Sequence, residues 1–223
     1  MDVLLAFGSA LLSLRLAGAL AQRWRATRRP ALAAWGASLA CYAVASAALA
    51  WGAAHGWDAR AFRVYYLCGG LLTAPLLGAG SLLLQGRAWA ARAALVWVGL
   101  AVGIVLAMHV EGSFAGAAIP AAQDHVSFFP ARIAAILGNS LGTLAVVAVA
   151  LASLRRRPLG NVLILAGVSV AAAGSAVAGL GVARTAAFFA VAVCLLYLGV
   201  VPPALDWERR VARFRRLPSR LSA

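Results

Sequence analysis

The chain has 223 residues, 64% of them hydrophobic and 12% charged, and its 20 basic against 6 acidic residues give a formal charge of +14. Together with a mean hydropathy of +0.90, that composition excludes an ordinary soluble domain and places the chain in lipid. Every basic residue is arginine, and without lysine no Schiff base to retinal or pyridoxal phosphate can form, so covalent attachment of either cofactor is excluded.

Uncharged runs of about 20 residues cross a hydrocarbon core of about 30 Å as helices. They predict an all-α integral membrane protein with seven transmembrane helices, at about 3–21, 31–54, 64–84, 93–110, 133–154, 159–183 and 185–204. Runs this long and rich in Ala and Leu do not suit barrel strands. The seven form one domain, 1–204, followed by a basic tail, 205–223.

The first run opens Met1-Asp2 with no basic residue ahead of it, and its positive cluster follows the apolar stretch, the reverse of a cleaved signal peptide. It is expected to be a retained first helix with its N-terminus outside. Within it, LLSLRLAGAL carries Arg15, the one charged side chain well inside a span. No acidic residue lies in any span to neutralise it. Either Arg15 extends its stem toward lipid phosphates or hydrogen-bonds between helices, or it belongs to a solute path.

The second run contains Cys41; Cys68 and Cys194 fall in later apolar runs. Three cysteines without paired spacing are no disulfide framework and read as small packing residues. After HGWDARAFR, the third run holds YYLCGGLLTAPLLGAGS, where Gly70, Ala74 and Gly78 recur every four residues and offer a flat face to another helix. Pro75 removes the donor for the Leu71 carbonyl and predicts a bend, with Thr73 as a local partner. Such a bend serves a gate or static packing equally well.

The fourth run leads into MHVEGSFAGAAIPAAQDHVSFFPAR, which gathers His109, Glu111, Asp124 and His125, while His55 and Asp58 lie in the second connection. Two readings compete here. In one, polar groups simply collect where water is, with Glu111 and Asp124 pairing loosely with Arg60, Arg63 or Arg132. In the other, His55, His109 and His125 supply imidazole ligands to a metal, completed by Glu111 or Asp124. No spacing in the sequence requires the metal.

The fifth run has ILGNSLGTL, with Gly138 and Gly142 as a GxxxG pair beside Asn139 and Thr143, and the sixth places Gly167, Ala171, Ser175 and Gly179 at intervals of four. These faces predict close helix packing, with Asn139 as interhelical glue or as a substrate ligand. Arg15, Thr73, Asn139 and Thr143 form the candidate interhelical polar site, with Pro75 as its hinge. Only Arg184 separates the sixth run from the seventh.

In the tail, LDWERRVARFRRLPSRL spaces Trp207, Val211, Phe214 and Leu217 along one helical face among Arg209, Arg213, Arg216 and Arg220. It predicts an interfacial helix N-capped by Asp206 and bound to anionic lipid, each arginine contributing about 1 kcal/mol; a plain solvated basic tail is the alternative.

Fifteen arginines fall in the odd-numbered connections and the tail, against four in the even-numbered connections. Short arginine-rich loops stay cytoplasmic, so the C-terminus is expected inside. The same rule explains the net charge without nucleic acid. Three spans, a connecting fourth and three more match the topology of some small transporters built from parallel repeats.

No phosphate loop, HExxH or GxSxG motif occurs, so nothing marks an enzyme. The leading expectation is a multi-pass protein of the cell membrane that moves or senses a small solute. The alternatives are an accessory subunit, engaging a second copy or other membrane proteins through its small-residue faces, and an outer-face metal or redox protein.

Overall fold

A computed structural model of the protein describes residues 2–114, 119–155, 158–176 and 182–200, and among these every regular element is helical. In chain order they are α1 (Asp2–Thr27), α2 (Pro30–His55), α3 (Ala59–Leu84), α4 (Trp89–Ala107), a single turn at Ala122–His125, α5 (Phe128–Ala152), α6 (Pro158–Ala176) and α7 (Val182–Val200). Four of them, α2 to α5, are long and apolar enough to cross a membrane. α6 and α7 contain shorter apolar stretches, Pro158–Ala171 and Ala190–Gly199. The chain thus has the helices of a membrane protein, compatible with a lipid bilayer.

Local chemistry sets the ends, and several differ from the hydropathy boundaries. α1 continues through Arg23 and Arg25, because arginine is a good helix former, and stops where Arg28 takes φ 54° ahead of Pro30, the first residue of α2. α2 ends at Gly56, whose φ of 88° suits glycine. α3 begins five residues before its apolar run, because Asp58 caps it: the carboxylate accepts the Ala61 N–H at 2.6 Å. α6 ends at Ala176 and α7 starts at Val182. Arg184 therefore lies in the first turn of α7, not between the two helices as hydropathy alone placed it. The tail, Asp206 to Arg220, and Gly179 lie outside the described residues.

α1 packs along α2 and α7, α3 along α2 and α5, and α6 along α5 and α7, which closes a six-helix ring. α4 lies outside that ring against α3. Large apolar side chains point outward from several helices, including Leu4, Leu95, Leu106 and Leu141. In water such a surface would aggregate; against lipid tails it is neutral.

Small residues set the closest approaches. A Cβ built on Gly78 would lie 2.7 Å from the Gly142 carbonyl oxygen and 2.8 Å from its Cα, so the α3 and α5 backbones touch there. A Cβ on Gly142 would strike the Ala74 carbonyl, and one on Gly138 would strike the ring of Trp97. Gly167 faces Leu196 and Ala192 across the α6–α7 contact. The atoms nearest to a Cβ built on Gly70 belong to the ring of Tyr66 in its own helix.

Candidate functional site

The middle of α3 is not an ordinary helix. Between Tyr66 and Leu72 its turns are widened, and the Thr73 N–H donates to the Cys68 carbonyl, five residues back. A return from five-residue to four-residue bonding skips one carbonyl, and Pro75 lacks the N–H that regular bonding would aim at Leu71, so carbonyls of this stretch lose backbone donors. In lipid each needs a substitute. Side chains from two other helices donate into the stretch: Asn139 Nδ2 of α5 to the Gly70 oxygen at 2.9 Å, and Trp97 Nε1 of α4 to the Leu71 oxygen at 2.8 Å. Ser38 of α2 donates to the Thr73 oxygen at 2.7 Å, and the Thr73 hydroxyl donates to Cys68 at 2.7 Å. The partner expected for Leu71, Thr73, is therefore replaced by Trp97, because the widened turn aims the Thr73 hydroxyl at Cys68.

Beside this knot the ring holds a partly open cavity of about 400 Å3, lined from α2, α3, α5, α6 and α7. Its polar groups are Ser38, Tyr42, Ser46 and Tyr65 with Thr73, Asn139 and Thr143; Leu49, Leu77, Val146, Val168 and Leu196 supply apolar wall. Tyr42 also meets Ser9 of α1, with 3.4 Å between their hydroxyl oxygens. Among the described residues no charged side chain lines the cavity. An ion would lose its hydration there with no counter-charge, whereas an uncharged molecule finds apolar wall and a few hydrogen-bonding groups.

Three of the four residues in the expected interhelical site, Thr73, Asn139 and Thr143, meet at this cavity. Arg15 does not: it is exposed on the outside of α1. α1 reaches the cavity only through the contact of Ser9 with Tyr42. Pro75 packs at the α3–α5 contact, its ring 3.1 Å from the position of a Cβ on Gly138. Ser38, Tyr42 and Ser46 escaped the sequence reading, although their spacing of four residues along α2 was a legible signal of one polar helix face. Trp97 carried no comparable signal, since its role depends on α4 lying against the widened turn.

The histidines do not assemble. His55 stacks on Trp51 at 4.3 Å between ring centroids, and His109 is exposed just past the end of α4. His125 stacks on Phe114 at 4.4 Å, lies 5.6 Å from Phe62, and places Nδ1 2.9 Å from the Glu111 carbonyl oxygen. The Glu111 N–H answers by donating to the His125 oxygen at 3.0 Å. These contacts fold the loop onto an aromatic cluster and occupy His125. Among the described residues no group of three or more His, Cys, Asp or Glu side chains is placed to hold a metal ion. Nor does Arg63 pair with Glu111 or Asp124; it donates to the Met108 carbonyl at 3.0 Å.

Comparison of the chain with protein-family models, curated proteins and solved structures finds no match.

Proposed function

We propose that this is a seven-span protein of the cell membrane, N-terminus outside and C-terminus in the cytoplasm, that moves or senses a small uncharged solute held in the central cavity. One observation carries the reading: a cavity within the ring whose described lining is uncharged and includes several hydrogen-bonding side chains, beside a helix that departs from regular winding. Widened turns recur at functional positions in helices. Supporting it are two helix triplets, α1 to α3 and α5 to α7, that close the ring with α4 outside, the arrangement expected of a three-plus-one-plus-three transporter. The accessory-subunit reading has less behind it, because Gly78, Gly142 and Gly167 are used within the chain.

The test is a thermal-shift screen of the purified full chain in nanodiscs against matched uncharged and charged small solutes. Stabilising solutes should be uncharged, and their effect should vanish in Thr143→Trp and in Ala192→Phe, which fill the cavity from two different helices. Stabilisation that survives both substitutions, or that comes only from charged solutes, would overturn the reading.

A further inference from the structure

A second and larger cavity, about 670 Å3, opens at the end of the ring where the α1–α2, α3–α4 and α5–α6 connections gather. Its character is opposite to that of the central cavity. Arg29 and Arg87 line it with Gln85, Ser81, Ser153 and Asn161, and among the described residues no carboxylate does. Neither guanidinium has a hydrogen-bonding or ionic partner among the described residues. The buried inner wall sets polar groups among the apolar Val146, Ala150 and Ile164: Asn161 is 5% exposed, Ser81 2% and Trp35 1%. Asn161 Nδ2 gives one N–H to Ser153 Oγ at 3.0 Å, which leaves the amide a second N–H. The Trp35 indole N–H is buried without a hydrogen-bond partner. Leaving a buried donor unmade is unfavourable, and an acceptor-rich guest relieves it.

Two unengaged guanidinium groups and surplus donors, with no competing carboxylate among the described lining residues, match a tetrahedral oxyanion, whose oxygens take the planar guanidinium fork in pairs. We propose that this vestibule binds a phosphate group, held by Arg29 and Arg87 at its rim and by donors of its inner wall. The group is either the headgroup of an anionic phospholipid or a phosphate borne by a soluble molecule; basic pockets between helix ends at a membrane surface take the former. Val146 borders both cavities, so an occupant of the vestibule stands at one approach to the central one. The assignment does not depend on what the central cavity holds.

Two arms separate the sources. In the first, inorganic phosphate is titrated onto the purified full chain in detergent at constant ionic strength, and the melting temperature is followed. In the second, nanodiscs of phosphatidylcholine are compared with nanodiscs containing phosphatidic acid. The variants are R29Q/R87Q and, as a control losing the same charge from the end of α1, R23Q/R25Q. A response to phosphate, to phosphatidic acid or to both supports the site and identifies the source, provided R29Q/R87Q weakens it roughly tenfold or more, as loss of charge-assisted bonds implies, and R23Q/R25Q leaves it unchanged. R29K/R87K keeps the charge and the fold but loses the paired geometry, and should weaken binding several-fold. No response of the parent in either arm, an equal loss in R23Q/R25Q, or undiminished binding in R29K/R87K would overturn the proposal, whichever solute the central cavity takes.

Discussion

Replacing Asn139 with alanine tests the bonding around the widened turn most directly. It removes the side-chain donor to the Gly70 carbonyl. Hydrogen bonds between membrane helices are worth about 0.6 kcal/mol on average and up to about 1.7, while a buried acceptor left unsatisfied costs about 1–3 kcal/mol. Asn139 is half-buried and borders the cavity, so water entering there offsets part of the loss. About 1.5 kcal/mol is the expected cost. Pro75→Ala should leave that figure nearly unchanged, because regular four-residue bonding carries an N–H at position 75 to Leu71, the carbonyl that Trp97 serves, and not to Gly70. In the Pro75→Ala background, Asn139→Ala should therefore still cost about 1.5 kcal/mol. Equilibrium unfolding of the four proteins in mixed micelles, titrated with a denaturing detergent, measures the cycle. A coupling larger than about 0.5 kcal/mol would show that the proline and the asparagine share a carbonyl and would refute this assignment of donors.

Other outcomes follow from the packing and the charge pattern. Gly78→Ala should lower the melting temperature by several degrees, since overpacking costs about 1–3 kcal/mol and each is worth about 2–4 °C in a chain of this size. Gly99→Ala on α4, whose added Cβ meets nothing within 4 Å, should leave it unchanged or raise it. The Cys41 and Cys68 thiols lie near each other across α2 and α3, so copper–phenanthroline should link them into a disulfide seen as the loss of two hydrogens by mass spectrometry, and Cys194 should stay free. Single cysteines at Thr27 and Ser113, with the native cysteines removed, should label oppositely with an impermeant maleimide on intact cells, only Ser113 reacting. A peptide covering residues 205–223 should turn helical on anionic vesicles and much less on neutral ones, as circular dichroism would report; equal spectra would leave a solvated tail.

How much was legible in the sequence depended on whether a property was local. Membrane class and the rough placement of the apolar helices follow from apolar run length, although α1, α3 and α5 extend beyond their runs, and the missing N–H at Pro75 is read directly from the residue; these belong to contiguous stretches of chain. The small-residue faces of α3 and α5 were likewise readable, since a spacing of four puts Gly138 and Gly142 on one side of any helix. What tertiary structure decided was who answers each local demand. The donors to Leu71 and Gly70 come from 26 and 69 residues away, and only the crossing of α4 and α5 over the widened turn brings them there. Closure of α1 onto α7 left Arg15 on the outer surface instead of at a polar centre. Folding of the long loop placed His125 among Phe62 and Phe114 and against the Glu111 backbone, where the sequence had offered it to a metal. In each case local spacing determines the unmet bond or the exposed face, and the contact that satisfies it depends on helix crossings that no short stretch of chain encodes.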